Sequence, residues 1–523
     1  MKRCLIAVAA VLSLAACSKS SYELEYPGSQ AVRLVPHDEI VLGKHLDNPY
    51  TVENMTKALA SLYPTKAGRV KIEPTDLYVR FLPLGDEQYR MLQDMGVEML
   101  DHPMDYEILR EGDYYHDPEV EAEGITWQYA VVPKDFEFPK GINYEKLQDC
   151  YLSENDPGTK VDGFDWEEIE REAFRLTGNA GMLSEPLTKG GGVVPQGRIC
   201  IVDDRYPSEP IGVKGVMVSC NVFIKFGTAY TDENGFYRMN KSFSNNPRYR
   251  LVFKNRKGFG IGFNLILIPA SISTLGKESP EGLSCTIDRT MNSALFTRSV
   301  VNNAAYEYYD FCSEDGLVMK TPPADLRLWL LHLTSASSSI MLHHGAIIDN
   351  SIIGKFLGQY AALVKIFLPD ITIGVREWVD YASIYADTVH ECAHASHYAA
   401  VGNDYWDSLE FFELKAFVTS GGINYGLGVE EDHGICEVAE MWAYYVETLM
   451  YSKRYPDEGR VFGGSFWFYP QIFSYLYERG LSRFKIFRSL EEGVDSRETL
   501  QSSLLSLYPS FKSSILQAFS RYQ

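Results

Sequence analysis

The chain has 523 residues, which is room for about three domains at a typical size of roughly 150 residues each. With 45% hydrophobic and 23% charged residues, its composition is that of a globular protein and not of a collagen-like or disordered chain. Asp and Glu number 70 against 49 Lys and Arg, a formal charge of −21, and so acidic a chain repels the phosphate backbone of nucleic acids. We therefore expect no nucleic-acid partner.

The N-terminus has the pattern of an export signal. Two basic residues at positions 2 and 3 precede an apolar run over 4–12, and small residues follow it. The segment LAAC at 14–17 resembles a bacterial lipoprotein lipobox. The resemblance implies a signal peptide over residues 1–17 that ends at a lipidated Cys17. The alternative is an ordinary signal-peptidase site at which Cys17 is incidental.

The same resemblance implies an exported protein that acyl chains on Cys17 anchor in a membrane. Ser18 follows the cysteine, and a residue other than aspartate at this position implies the outer membrane of a Gram-negative bacterium. No other stretch reaches the roughly 18 apolar residues of a membrane-spanning helix, since the nearest, 261–270, is short and contains Asn264. We therefore expect a soluble body that contacts the membrane only through its lipid anchor.

Residues 22–180 show the mixed periodicities of a small α+β domain. Thr51 is placed to cap a helix over 52–62, and residues 76–82 alternate in polarity as a half-buried strand does. No residue pattern in this domain points to chemistry. Further helices are predicted at 86–95 and 165–176, and further strands at 97–100 and 125–132.

A glycine-rich linker at 190–192 separates this domain from a region of short strands. The segments PIGVKGV at 210–216 and TDENGFY at 231–237 resemble a carboxypeptidase regulatory-like β-sandwich, which has a transthyretin or Ig-like fold. The resemblance implies such a module over 195–275, a role as spacer or interaction domain, and no catalytic residue. Strands are predicted at 197–203, 213–222, 228–231, 236–239 and 249–254.

From residue 290 to residue 523 the periodicity is mainly helical. The sequence therefore predicts a multidomain α+β protein with a small N-terminal α+β domain, a β-sandwich and a helical domain that holds the chemistry. Helices are predicted at 324–333, 353–367, 383–401 and 434–450, with an isolated strand at 370–374.

The predicted helix at 383–401 contains the strongest chemical signal, His390-Glu391-Cys392-Ala393-His394. Residues i and i+4 of a helix are about 400° apart, so both histidines project from one face and can ligate one metal ion. Glu391 lies beside that face, where it can act as general base toward zinc-activated water without being a ligand. With 11 histidines in 523 residues, chance produces such a motif in only about one or two chains in a hundred.

At this motif the sequence resembles the zincin metallopeptidases. The metzincin subgroup has a glycine and a third histidine where this chain has His397 and Ala400, so that subgroup is not matched. The gluzincin subgroup takes its third ligand from a glutamate on a downstream helix. The helix predicted at 434–450 contains Glu437, Glu440 and Glu447, and the segment EMWA that begins at Glu440 resembles the turn around such ligands.

Glu440 is the preferred third ligand, and Glu437 is the alternative. On a helical wheel Glu440 flanks the apolar stripe beside small residues such as Ala439 and Ala443, which let two helices approach closely. Glu437 lies on the opposite, bulkier side of the helix.

Two histidines and one glutamate leave the fourth position of a tetrahedral zinc ion open, as in catalytic sites. The resemblance implies one zinc ion and a peptide or protein substrate whose carbonyl oxygen needs a further donor. Tyr444, Tyr445 and His433 are the candidates for that donor. By resemblance alone, the strand at 370–374 would pair with an extended substrate.

The sequence thus predicts a membrane-anchored zinc metallopeptidase that uses Glu391 as general base. Two alternatives stay open. One is a surface binding or scaffold lipoprotein with a non-catalytic metal site. The other is a zinc hydrolase of a non-peptide amide, because HExxH specifies the attack and not the substrate.

Overall fold

A computed structural model describes most of the chain from residue 39 onward. The predicted signal peptide with Cys17, the linker residues 190 and 191, and the predicted helix at 353–367 lie outside the described residues. The described ranges are 39–112, 114–120, 125–160, 163–184, 192–262, 272–290, 293–316, 318–331, 337–345, 369–375, 380–420 and 425–523.

The N-terminal region forms a mixed α+β unit, as the sequence predicts. Thr51 caps its first helix by accepting a hydrogen bond from the backbone N–H of Asn54 at 3.1 Å. The strand at 143–150 was not predicted, because most of its side chains are exposed and it lacks apolar alternation. The elements are β1 (Val41–His45), α1 (Val52–Leu62), β2 (Asp76–Leu82), α2 (Asp86–Asp94), β3 (Met99–Leu100), β4 (Tyr106–Arg110), β5 (Gln128–Pro133), β6 (Asn143–Cys150) and α3 (Trp166–Leu176). Strands β3, β5, β2 and β6 form an antiparallel sheet in that order, and β1 pairs with β4.

The middle region contains all five predicted strands and arranges its strands in two sheets over a shared core. In the turn before the strand at 236–238, Gly235 has a φ of +82°, and a Cβ there would lie 2.1 Å from the carbonyl oxygen of Ile199. The turn therefore requires glycine. The strands are β7 (Gln196–Ile201), β8 (Ile211–Gly212), β9 (Val216–Val222), β10 (Lys225–Tyr230), β11 (Phe236–Arg238), β12 (Arg248–Asn255), β13 (Gly260–Gly262), β14 (Ile272–Lys277) and β15 (Cys285–Ile287). One sheet contains β10, β9, β12 and β14, and the other contains β8, β7, β11 and β15.

The first of these sheets continues into the C-terminal region. Strand β12 pairs with β13, β13 pairs in parallel with β16 (Arg327–Leu331), and β16 pairs in parallel with β17 (Ile371–Gly374). The seven strands form one sheet, so the boundary predicted at residue 275 does not coincide with a break in the fold.

The helix predicted at 324–333 is wrong, because these residues contain strand β16. Residues 326–330 are all buried, as expected for a strand between two parallel neighbours. Leu326 and Leu330 are four residues apart, a spacing that also fits a buried helix. A short apolar run does not distinguish the two structures.

The strand predicted at 370–374 is present as β17, but it is not isolated. Strand β16 occupies one of its edges. On the other edge, the backbone of Ser338 exchanges two hydrogen bonds of 2.8 and 2.9 Å with the backbone of Thr372. The edge that was expected to pair with a substrate is therefore already paired at Thr372.

The remaining described elements are helices, and the predicted helices at 383–401 and 434–450 are both confirmed. They pack against each other, and a further helix at 293–311 packs against the first. The helices are α4 (Ser293–Phe311), α5 (Tyr381–Val401), α6 (Asn403–Ser420), α7 (His433–Arg454), α8 (Gln471–Glu478), α9 (Arg483–Arg488), α10 (Arg497–Leu507) and α11 (Lys512–Arg521). Among the helices that the structure describes, none combines the length and the apolarity that crossing a bilayer requires.

Buried and half-buried ion pairs connect the three regions. In the N-terminal region, Glu170 accepts a hydrogen bond of 3.0 Å from Nζ of Lys225 on β10. At the end of α7, Nη2 of Arg454 lies 2.9 Å from Oδ2 of Asp203, which follows β7. Nη1 of the same arginine lies 3.3 Å from Glu307 on α4. These contacts hold the helices of the C-terminal region against the sheets.

Candidate metal centre

Helix α5 places the HExxH residues in the interior of the molecule. It begins after Asp380, whose side chain accepts a hydrogen bond from the backbone of Ser383, and it ends at Gly402, whose φ is +85°. Between these ends, His390, Glu391 and His394 are each at most 2% exposed. Polar side chains at such positions require partners or a bound ion.

Glu440, in the middle of α7, faces both histidines. Its Oε1 lies 3.1 Å from Nε2 of His394, and its Oε2 lies 3.4 Å from Nε2 of His390. The two Nε2 atoms are 3.1 Å apart. The structure therefore brings the preferred third residue to the motif helix.

The separations of 3.1–3.4 Å between the two Nε2 atoms and the two carboxylate oxygens of Glu440 are close to those between the ligands of a zinc ion. Ligands at about 2.0–2.1 Å from a tetrahedral zinc ion are separated from one another by about 3.3–3.4 Å. Two imidazole nitrogens and one carboxylate are also the donor set of catalytic zinc sites. Within the described residues, His390, His394 and Glu440 form the only cluster of His, Cys, Asp and Glu ligand atoms close enough to share a metal ion.

Glu437, the alternative third residue, points elsewhere. Its Oε1 accepts a hydrogen bond of 3.1 Å from Nη1 of Arg497 on α10. Small residues on α7, including Ala439 and Ala443, are fully buried where α7 packs on α5. The approach of the two helices thus favours Glu440, for the reason that the helical wheel indicated.

A second carboxylate on α7 holds the ring of His390. Oε2 of Glu447 lies 3.0 Å from Nδ1 of His390, and Glu447 is fully buried. Burial opposes a charge on His390, yet Glu440 and Glu447 together raise its pKa to about 10. The pKa of Glu440 is lowered below its usual range: burial opposes this shift, but the two histidines outweigh it. The site therefore favours positive charge between its carboxylates.

Glu447 had no role in the sequence-based prediction, although a signal for it exists. It stands seven residues after Glu440, which is about two helical turns, so both side chains leave the same face of α7. When one ring nitrogen of a histidine binds a metal, a carboxylate that accepts a hydrogen bond from the other ring nitrogen fixes the orientation of the ring. Helical spacing from the third ligand therefore identifies this residue.

Glu391 is buried beside the ligand set, and among the described residues it forms no ion pair with a Lys or Arg. Its Oε2 has no hydrogen-bond partner in the described structure, and the Ser339 hydroxyl donates to its backbone carbonyl at 2.7 Å. Burial raises the pKa of Glu391 to about 8, although the charge of His390 and the hydroxyl of Ser339 act in the opposite direction. A carboxyl group with a pKa near neutrality can both accept and return a proton.

Of the three proposed oxyanion donors, only Tyr444 lies at the site. Its ring contacts the ring of His390 edge-on, with centroids 4.5 Å apart, and its hydroxyl lies 3.1 Å from that of Tyr425. Tyr445 instead packs against aromatic side chains of α8. His433 bonds to the backbone carbonyl of Glu430 at 2.8 Å.

Helix α6, which the sequence analysis did not predict, forms another wall of the site. The ring of Trp406 lies 5.9 Å from that of His394, and Nε1 of Trp406 donates to the backbone carbonyl of Ser339 at 2.8 Å. His397 is fully buried against Trp406, and neither of its ring nitrogens has a hydrogen-bond partner in the described structure. His397 therefore packs beside the site without joining the ligand set.

The same helix also contributes two buried carboxylates, Glu410 and Glu413, which are each 4% exposed. Burial raises the pKa of both well above its usual value, and the negative charges of Glu391 and Glu440 raise it further. Their burial was not predicted, because acidic residues on a helix are normally solvated.

Comparison of the chain with protein-family models, with curated proteins and with solved structures finds no match.

Proposed function

We propose that the protein is a zinc-dependent metallopeptidase that hydrolyses peptide bonds with Glu391 as general base. The observation that carries the proposal is the convergence of His390, His394 and Glu440 at separations of 3.1–3.4 Å, with Glu391 buried beside them. Three protein ligands leave one position of a tetrahedral site for water or substrate.

Each residue has a distinct part in this function. His390, His394 and Glu440 would hold the ion, which when bound supplies the Lewis acidity that activates water and polarises a carbonyl group. Glu447 orients His390. Glu391 takes a proton from the attacking water and passes it to the leaving amine. Tyr444, whose ring packs on His390, would donate a hydrogen bond to the carbonyl oxygen as negative charge develops on it.

The buried Glu391 favours an enzyme over a scaffold with a structural metal. A purely structural zinc site is closed by four protein ligands, and it has no need for an adjacent carboxylate whose oxygen lacks a hydrogen-bond partner. The geometry does not distinguish a peptide from another amide, so hydrolysis of a non-peptide amide is the second candidate activity.

We further propose that the protein is exported and anchored at Cys17 in the outer membrane, on the strength of the lipobox-like segment at 14–17. A Cys17→Ser substitution should then move the protein from the membrane fraction to the soluble fraction. A Cys17→Ser protein that still sediments fully with membranes after cleavage of the signal would contradict the anchor.

The activity is tested by comparing wild type with Glu391→Gln and His394→Ala on a broad peptide library. Glutamine keeps the shape of glutamate but cannot take up a proton near neutral pH, so kcat should fall by about 10² to 10⁴-fold while the zinc content stays close to one. His394→Ala should lose both zinc and activity, because it removes a ligand.

The exposed Glu478 provides a matched control, since its side chain is 73% exposed and Glu478→Gln makes the same chemical change on the surface. This variant should keep full activity. Cleavage that persists in Glu391→Gln would assign the activity to another site or to a contaminant. A zinc-loaded wild type that cleaves no peptide but hydrolyses other amides would establish the second candidate activity.

A further inference from the structure

One face of α6 points toward the metal centre and carries two acids. Trp406, Glu410 and Glu413 are spaced at i, i+4 and i+7, so their side chains leave the same face of the helix. The position of this face is fixed by Trp406, whose ring lies 5.9 Å from the ring of His394. The carboxylates of Glu410 and Glu413 therefore extend the same wall by one and two helical turns.

Glu410 is buried, and among the described residues one of its carboxylate oxygens lacks a hydrogen-bond partner. It is 4% exposed, and its Oε2 has no hydrogen-bond partner in the described structure. Among the described residues, the charged groups that act electrostatically on it are Glu391, Asp407 and Glu440, which are all acidic. The charged groups that act on Glu413 in the same part of the chain are Glu410, Glu440 and Glu391, and no Lys or Arg of the described residues balances either carboxyl group.

A bound zinc ion would not balance these charges. Its two positive charges would be more than matched by the carboxylates of Glu440, Glu447 and Glu391, which leaves Glu410 and Glu413 with no counter-charge in the described residues. An unpaired carboxylate in the interior is costly, and buried carboxylates normally face a cation or hydrogen-bond donors. Without a cation, burial favours the protonated form of both carboxyl groups, and a cationic ligand would let them ionise and pair with it.

We propose that Glu410 and Glu413 bind a cationic group of the substrate, an ammonium or a guanidinium, next to the metal centre. This inference rests on the proposed function for its statement that the ligand is a peptide. Such a group would reach both carboxylates with charge-assisted hydrogen bonds. It has two possible sources in a peptide, the free α-amino group and the side chain of Lys or Arg.

The two sources are separated by matched peptides. Each library sequence is prepared with a free or an acetylated N-terminus, and with Arg or its neutral isostere citrulline. Wild type should cleave the charged member of at least one pair with a kcat/KM about tenfold or more higher than its neutral partner. The pair that shows the difference identifies the source of the charge, and equal kcat/KM values in both pairs would overturn the inference.

Glu410→Gln should abolish this preference by lowering kcat/KM for charged peptides to the value for their neutral partners. Glu413→Gln should weaken the preference, and the exposed control Glu478→Gln should keep it. A Glu410→Gln protein that retains the full preference would also contradict the proposal. Because glutamine removes an unpaired charge from the interior, the variant is expected to fold.

A binding measurement keeps this inference separate from the proposed activity. Zinc-loaded Glu391→Gln is titrated calorimetrically with Ala-Arg-Ala and Ala-citrulline-Ala, each with a free and an acetylated N-terminus. At least one cationic probe should bind about tenfold or more tightly than its neutral partner, and Glu410→Gln in the same background should remove the difference. Tighter binding of the cation without any cleavage by wild type would overturn the peptidase but support the cation site. Cleavage by wild type with no preference for the charged peptide or probe in either assay would support the peptidase and overturn the cation site.

Discussion

Helix α7 carries two groups of buried charges that differ in how they are balanced. At its C-terminal end, Arg454 pairs with Asp203 at 2.9 Å and with Glu307 at 3.3 Å, and Lys214 reaches the same Glu307 at 2.9 Å. Two cations there face two anions. In the middle of the helix, Glu440 belongs to a cluster of carboxylates that contains histidines but, within the described residues, no Lys or Arg.

The pKa values of Glu307 in the first group and of Glu410, the α6 acid beside the second group, shift in opposite directions. Burial opposes ionisation of Glu307, but Arg454 and Lys214 outweigh it and lower the pKa of this carboxyl. Burial raises the pKa of Glu410, and its acidic neighbours raise it further. The first group is what a fold uses to join its parts, because every charge has a partner. The second costs stability in the absence of a cation, as expected where a site awaits ligands.

The largest effect should come from breaking the balanced group. Arg454→Ala leaves Asp203 and Glu307 buried without their main cation, which should lower the free energy of unfolding by about 3–5 kcal/mol. The measurement is urea unfolding of the zinc-loaded protein. Lys453→Ala is the control, since that side chain is 66% exposed and its pair with Glu314 should contribute only about 0–1 kcal/mol. Equal stabilities of the two variants would show that the Arg454 contacts do not join the regions.

A smaller effect is expected when the carboxylate of Glu447 is removed from the group of acids around Glu440. Removing its carboxylate with Glu447→Ala takes away the acceptor for Nδ1 of His390, and zinc affinity should fall by about 10 to 100-fold. Glu447→Gln keeps an acceptor oxygen and should lose less. Competition with a chelator measures both.

Glu437→Gln is the matched control for Glu447, because it changes a buried glutamate of the same helix that pairs with Arg497 instead of a histidine. Its zinc affinity should stay within about twofold of wild type. A larger loss in Glu437→Gln than in Glu447→Ala would contradict the assignment of the ligands.

The sequence predicted the site wherever the chemistry depends on spacing within one helix. The i, i+4 histidines of α5 and the position of Glu440 among small residues follow from helical periodicity alone. The pairing of α5 with α7 needed one further step, the expectation that small residues let helices approach. These are local properties of the sequence, so they can be predicted without knowing which distant segments are in contact.

What the sequence did not predict depends on contacts between distant segments. The run around Leu330 is a strand because β13 and β17 lie on either side of it, and its apolar spacing also fits a helix. Glu410 is buried only because α6 folds back over α5, whereas an acidic residue on a helix is ordinarily solvated. The continuity of the sheet from β12 to β17 likewise has no local signature.

Glu410→Gln is expected to have the smallest effect. Its sign is opposite to that of Arg454→Ala, because the substitution should stabilise the protein. The raised pKa of Glu410 means that the folded protein disfavours the charged carboxylate, whereas the unfolded chain ionises near the ordinary value of 4.5. Above that pH the unfolded state therefore releases its proton more readily, and the folded protein loses stability as the pH rises. Removing the charge should stabilise the zinc-loaded protein by about 0.5–2 kcal/mol at pH 8 and by less at pH 6.

Thermal unfolding at the two pH values, with Glu478→Gln as the exposed control, measures the difference. A Glu410→Gln protein less stable than wild type at pH 8 would mean that this carboxylate has a stabilising partner, and the acids around the metal centre would then be balanced like those around Arg454.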